Sequence, residues 1–125
     1  MTRRAMILFA HGARDPRWAT PFRRLQQIVQ AQAPDVPIEL AFLEMMPPEL
    51  ASVVLQLQQA GCDDIMIVPV FFGQGGHVLR DLPLMISQLQ KQYPGLNIRA
   101  AEAVGESPDV LNAIARYCLG TLDNQ

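Results

Sequence analysis

"VPVFFGQGGHVLRD" at residues 68–81 and "ILFAHGARD" at residues 7–15 share one arrangement: an apolar run of strand length, then a histidine with glycine beside it, then arginine and aspartate. His11 and His77 are the two histidines of the chain. A short apolar run closed by glycine reads as a strand buried on both faces, the kind found in parallel sheets. Each histidine would then stand just beyond the carboxyl end of a strand, where that strand gives way to a helix.

Extending the pattern outward yields four strand-then-helix units. The strands are expected at residues 5–10, 36–43, 64–72 and 97–104. After the first, "WATPFRRLQQIVQAQ" puts Trp18, Phe22, Leu25 and Val29 at helical spacing. After the second, "PPELASVVLQLQQAG" starts with proline, lines up Leu50, Val53, Val54 and Leu57, and stops at Gly61. The third helix is expected from about Asp81 through Leu82, Met85, Ile86 and Leu89 to a stop at Pro94-Gly95, and the fourth from Ser107 as N-cap with Pro108 at its first position. Pro69 removes one ladder hydrogen bond from the third strand and suggests a bulge. Alternating strands and helices with right-handed crossovers predict an α/β fold: one three-layer domain over residues 1–125, a four-stranded parallel sheet of order 2-1-3-4, and helices on both faces. In such a sheet, ligands bind beyond the strand ends where the winding reverses, here between the first and third strands.

Composition narrows the function. At 125 residues and 50% hydrophobic the chain is large and apolar enough to bury a core without metal or disulfide staples. Cys62 and Cys118 are isolated, so neither a disulfide framework nor a metal knuckle is indicated. No apolar run is long enough to span a membrane, and "MTRRAMILFA" lacks a cleavage signature; a cytoplasmic protein is expected. A net charge of −2 gives no general attraction to nucleic acid or membranes. Six arginines nevertheless crowd the first 24 residues, and Arg80 follows the second histidine. Their planar forks suit a carboxylated or phosphorylated small molecule, although Arg23 and Arg24 are read as a solvated helix face.

Glu44, in "LAFLEMMPP", ends the second strand on the same edge as both histidines. His11, His77 and Glu44 together form a candidate set of ligands for a divalent first-row metal, with coordination positions left open for a substrate. Gly75 and Gly76 would let the backbone approach a ligand closely. Other motifs fit poorly. "GQGGHV" lacks the full dinucleotide fingerprint, and the lysine of a phosphate loop is missing. Ala10 stands where a histidine phosphatase would have its arginine. Met45, Met46, Phe71 and Phe72 are candidates for an apolar wall, core packing being the expected role of the phenylalanines.

"HGARDPRWATPF", "AFLEMMPP" and "VPVFFGQGGHVLRDLP" together resemble the short sirohydrochlorin cobaltochelatases of the class II tetrapyrrole chelatases. The resemblance runs from about residue 5 to residue 85 and departs from the pattern at Ala13, where serine is frequent. It implies that His11 and His77 are the metal-binding and catalytic histidines, and that Glu44 assists them. The implied reaction inserts a divalent metal, Co2+ first with Ni2+ or Fe2+ as alternatives, into sirohydrochlorin for cobalamin biosynthesis without an organic cofactor; a non-catalytic metal or tetrapyrrole carrier is the competing class. Arg14, Arg17 and Arg80 become candidates for the carboxylates at the macrocycle's rim. Long members of the family carry two such halves facing one another, so the resemblance also implies a homodimer, with Met45 and Met46 partly buried between subunits.

Overall fold

The computed structural model describes residues 2–73 and 76–123, residues 76–79 through their backbone. The apolar runs pair as expected: β1 (Arg4–Ala10), β2 (Ile38–Phe42), β3 (Asp64–Pro69) and β4 (Asn97–Ala100) form a single sheet in the order β2-β1-β3-β4. All three pairings are parallel. β1 lies between β2 and β3, and its last four residues, Ile7, Leu8, Phe9 and Ala10, are buried because both of its faces are covered.

The helices are α1 (Thr20–Gln32), reached through a 3-10 turn at Pro16–Ala19, then α2 (Leu50–Gln59), α3 (Gly76–Gln92) and α4 (Pro108–Gly120), the last preceded by a 3-10 turn at Val104–Glu106. Alternation along the strands divides the core into two layers. Ile7, Phe9, Ile65, Ile67 and Ile98 pack with Leu50, Val53, Val54 and Leu57 of α2 and with Leu82 and Leu89 of α3. Leu8, Ala10, Leu40 and Phe42 face the other way, against Trp18, Phe22, Leu25 and Val29 on the α1 side.

Several boundaries differ from the sequence reading. β3 stops at Pro69 rather than residue 72, and the ladder gives its last bond from the Val70 N–H to the Phe9 carbonyl at 2.7 Å. β4 ends at Ala100 rather than residue 104. α3 begins at Gly76, well before Asp81, so His77 belongs to the first helical turn and not to a loop. Pro83 sits inside the helix and removes one hydrogen bond. Pro47 and Pro48 lie ahead of α2, whose first residue is Leu50.

Two glutamines tie helices to strands in the same way. The Gln30 side chain donates to the Val36 carbonyl at 2.8 Å and accepts from the Ile38 N–H at 3.1 Å. Gln90 donates to the Leu96 carbonyl and accepts from the Ile98 N–H at 3.1 Å. "VQAQAPDVPI" and "LQKQYPGLNI" are thus a repeated corner, in which one amide satisfies both polar groups of the incoming strand. Gln30→Ala and Gln90→Ala should each destabilise the fold by about 1 kcal/mol, since partly exposed backbone groups can recruit water in place of the amide. Urea unfolding midpoints measure this, and midpoints equal to that of the parent chain would remove the corner from the account of stability.

Candidate functional site

The ladder between β1 and β2 continues past both strands and sets the site. Ala10 is in register with Phe42. Beyond that pair the Leu43 N–H donates to the Ala10 carbonyl at 2.9 Å, and the Glu44 N–H to the His11 carbonyl at 3.1 Å. Glu44 is therefore carried alongside His11 by backbone bonding before any side chain acts. Gly12 makes the approach fit: with φ at 97° it is in the left-handed region, and a Cβ there would overlap the Glu44 carbonyl oxygen. After Glu44 the chain bends sharply, with Met45 at φ 70°.

The two side chains meet at the strand ends. His11 Nε2 stands 3.7 Å from Glu44 Oε1, and the side chains are 46% and 52% exposed. His11 Nδ1 lies 3.3 Å from the Gly12 carbonyl, an acceptor. The tautomer that uses this contact carries its proton on Nδ1 and leaves the Nε2 lone pair facing Glu44. The imidazole leans edge-on against Phe71, with ring centroids 6.3 Å apart, and Phe71 in turn packs edge-on against Phe9 at 5.9 Å. Core packing thus limits how far the ring can swing.

The spacing suits one metal ion better than a direct proton transfer. A hydrogen bond between these atoms would need about 3.2 Å or less. Two ligands each about 2.1 Å from an ion stand about 3.0 Å apart at a right angle and about 3.4 Å apart at the tetrahedral angle. A gap of 3.7 Å closes onto such an ion with a shift of a few tenths of an ångström.

The other sequence candidates are distributed around this pair. His77 is the second residue of α3, on the connection from β3, the direct neighbour of β1; its side chain lies outside the described residues, as does Gly75, while Gly76 opens the helix. Among the described residues no three His, Cys, Asp or Glu side chains cluster as a metal site. Arg14 and Arg80 are exposed. Arg17 is engaged locally: its guanidinium grips Asp15 through three contacts, Nη2 to Oδ2 at 2.7 Å and Nε to both Oδ1 and Oδ2 at 3.1 Å. Those bonds hold the Asp15 carboxyl below the usual carboxylate range, while Asp15 also caps the 3-10 turn by accepting from the Arg17 N–H. Phe71 is a core residue, Phe72 is exposed beside the site, and Met46 packs against the α1-side layer while Met45 is exposed.

Gly105 was not singled out in the sequence, yet it is in close contact with the backbone just after β3, at Phe71 and Phe72. Its N–H donates to the Phe71 carbonyl at 3.0 Å, and a Cβ there would overlap the Phe72 carbonyl oxygen. The one sequence hint was a glycine shortly before the Ser-Pro helix start in "AVGESP".

A parallel α/β sheet with an imidazole and a carboxylate side by side beyond the carboxyl ends of β1 and β2 defines the class of the fold and its candidate site. The chain belongs to the CbiX family, whose family model matches residues 5–118. It is 30% identical over 82 residues to the sirohydrochlorin cobaltochelatase of Methanopyrus kandleri, a match covering 66% of this chain and 57% of that protein. With the sirohydrochlorin cobaltochelatase of Sulfurisphaera tokodaii it shares 26% identity over 100 residues, covering 80% and 78%. The fold is similar to that of a CbiX protein of Marinobacter aquaeolei VT8 assigned to cobalamin biosynthesis, with a TM-score of 0.85, 30% identity, and 98% and 99% of the two chains covered. The sirohydrochlorin chelatase SirB of Bacillus subtilis subspecies spizizenii, solved with cobalt, has the same fold at a TM-score of 0.80 and 21% identity; the match takes in 92% of this chain and 49% of that one.

Gly12→Ala should cost about 1–3 kcal/mol, because alanine is strained at this φ and its Cβ must push the Glu44 backbone away. Chemical unfolding measures the loss. Unfolding at the parent midpoint would show that the close approach of the two loops is dispensable.

Proposed function

We propose that this chain is a sirohydrochlorin chelatase that inserts a divalent metal, Co2+ foremost, on a route to cobalamin. The observation that carries this reading is the His11–Glu44 pair, an imidazole nitrogen and a carboxylate oxygen 3.7 Å apart and half exposed at the switch point of a CbiX-family fold. The cobaltochelatase names of the Methanopyrus and Sulfurisphaera relatives support the choice of substrate and metal.

The reaction exchanges one M2+ for two pyrrole protons. The metal must shed waters, and the ring must be deprotonated as it enters. His11 Nε2, neutral in the tautomer set by the Gly12 carbonyl, is a donor that can replace a water on the ion. Once the metal has moved toward the ring, Glu44 accepts one pyrrole proton and the imidazole freed of the metal accepts the other. His77 supplies the second imidazole in this scheme. Arg14 and Arg80 receive the rim carboxylates; Arg17, already paired with Asp15, contributes only if that pair opens. The exposed Phe72 and Met45 offer apolar surface to the ring. The chain acts as one domain in a homodimer, each subunit providing one wall of the cleft, in the cytoplasm. Among the described residues no helix is long and apolar enough to cross a membrane.

His11→Ala and His77→Ala should each remove most of the metal insertion while leaving circular dichroism unchanged. Glu44→Gln should keep much of the metal binding and lose most of the rate, since an amide can contact a metal but cannot take a proton. Visible spectra of sirohydrochlorin with excess Co2+ measure both, and conversion that stops at one equivalent per site would make the protein a carrier.

Arg14→Ala and Arg80→Ala should raise KM for sirohydrochlorin with little change in kcat, most visibly at low ionic strength, where exposed charges are least screened. An unchanged KM for both variants would exclude them from rim recognition.

A further inference from the structure

The contact that selects the His11 tautomer, Nδ1 to the Gly12 carbonyl, is 3.3 Å long, and the side chain is half exposed. N–H···O bonds are shorter than this when they are strong, and a group half in water gains little from a long bond over the water it replaces. A neutral imidazole in water, moreover, carries its proton mainly on Nε2, the opposite tautomer, unless the partner of one ring nitrogen decides otherwise. Keeping Nε2 bare and turned toward Glu44 therefore needs more than the Gly12 contact.

Phe71 is placed to supply it. Its ring stands edge-on to two neighbours, at 88° to Phe9 with centroids 5.9 Å apart and at 80° to His11 with centroids 6.3 Å apart. Aromatic rings prefer this edge-to-face geometry. Phe9 is wholly buried on β1, and Phe71 itself is only 7% exposed, so the flank it turns to His11 is a fixed one. The backbone is fixed as well. The Val70 N–H donates to the Phe9 carbonyl at 2.7 Å, and the Phe71 carbonyl accepts from the Gly105 N–H at 3.0 Å. Gly105 lies so close that a Cβ there would overlap the Phe72 carbonyl oxygen, so this segment has no room to slide toward the loop before α4. A ring held on both of these sides sets the χ1 and the plane of the imidazole, and in that plane an Nδ1–H meets the Gly12 carbonyl.

We propose that Phe71 is a positioning residue for His11: its ring, locked against Phe9, and its backbone, locked to Gly105, hold the imidazole as the Nδ1–H tautomer with the Nε2 lone pair toward Glu44. The loop before α4 thereby acts on the site through Phe71. The effect on turnover rests on the chelatase reading above, whereas the tautomer does not.

The test uses the full chain, whose two histidines make the tautomer readable. Long-range proton–nitrogen correlation spectra at about pH 8.5, where imidazoles are neutral, separate protonated from bare ring nitrogens, and His77→Ala assigns the His11 signals. The parent chain should show His11 protonated on Nδ1. Phe71→Leu, apolar but without a flat edge, should move most of His11 to the Nε2–H form. It should also lower Co2+ insertion about tenfold or more, the loss usual for a group that orients a ligating histidine, with KM for sirohydrochlorin little changed. Phe71→Met gives the same comparison where the leucine variant does not fold. Gly105→Ala, which must displace the Phe72 carbonyl, should shift the tautomer in the same direction. Gln90→Ala weakens the fold at the far end of the sheet and should leave the tautomer as in the parent, which separates positioning from lost stability. A parent chain with His11 protonated on Nε2, or a folded Phe71 variant with the parent tautomer, would overturn the positioning role, as would an equal shift in Gln90→Ala. A folded Gly105→Ala chain with the parent tautomer would overturn the backbone lock, and a tautomer shift at unchanged turnover would overturn its bearing on catalysis. The expected shift in a chain whose parent inserts no metal would count against the chelatase reading alone.

Discussion

The backbone ladder on the two sides of β1 is the constraint on which the rest depends. Because β1 is bonded to β2 and β3 at once, the residue that follows it emerges between two neighbours whose positions are already fixed. His11 owes its place to this, and Glu44 is drawn to it by two further backbone bonds outside the strands proper. The pairing of these two side chains is thus a consequence of register, and a slip of one residue would turn the whole alternation over.

Around that ladder the site is held by contacts that need the absence of a side chain as much as its presence. Gly12 admits the Glu44 carbonyl, and Gly105 admits that of Phe72. Phe71, packed on Phe9, gives the His11 ring a firm edge to rest on. The imidazole and carboxylate remain half exposed, which costs little desolvation and would leave coordination positions open on any ion held between them. On the proposed reading the metal has to be released, and a site with few protein ligands suits release better than a closed cage does.

The two ends of the sheet are treated differently. At the amino-terminal end of the strands, the Gln30 and Gln90 corners seal helices to β2 and β4 with short bonds. At the carboxyl end the loops stay open, and α4 stands away from the body with its apolar residues in solvent. The side-chain ties between helices and strands thus lie at the end opposite His11 and Glu44.

By itself, the sequence determined the strand-helix alternation, the sheet order and the strand ends from which His11 and Glu44 project, because these follow from apolar periodicity and from the handedness of parallel crossovers. It also carried the family resemblance in its histidine loops. What it left open was decided by the folded backbone, through contacts both local and between distant segments. The apolar spacing placed the start of the third helix near Asp81, but α3 begins at Gly76, a boundary that the spacing of core residues does not fix. Arg17 looked as available as Arg14 until the fold turned it onto Asp15. The importance of Gly105 depends on Phe72, a contact across units that no local pattern announces. α4 has the periodicity of a buried helix and is exposed, because periodicity records that a face needs cover and only the tertiary structure decides whether its own chain supplies it.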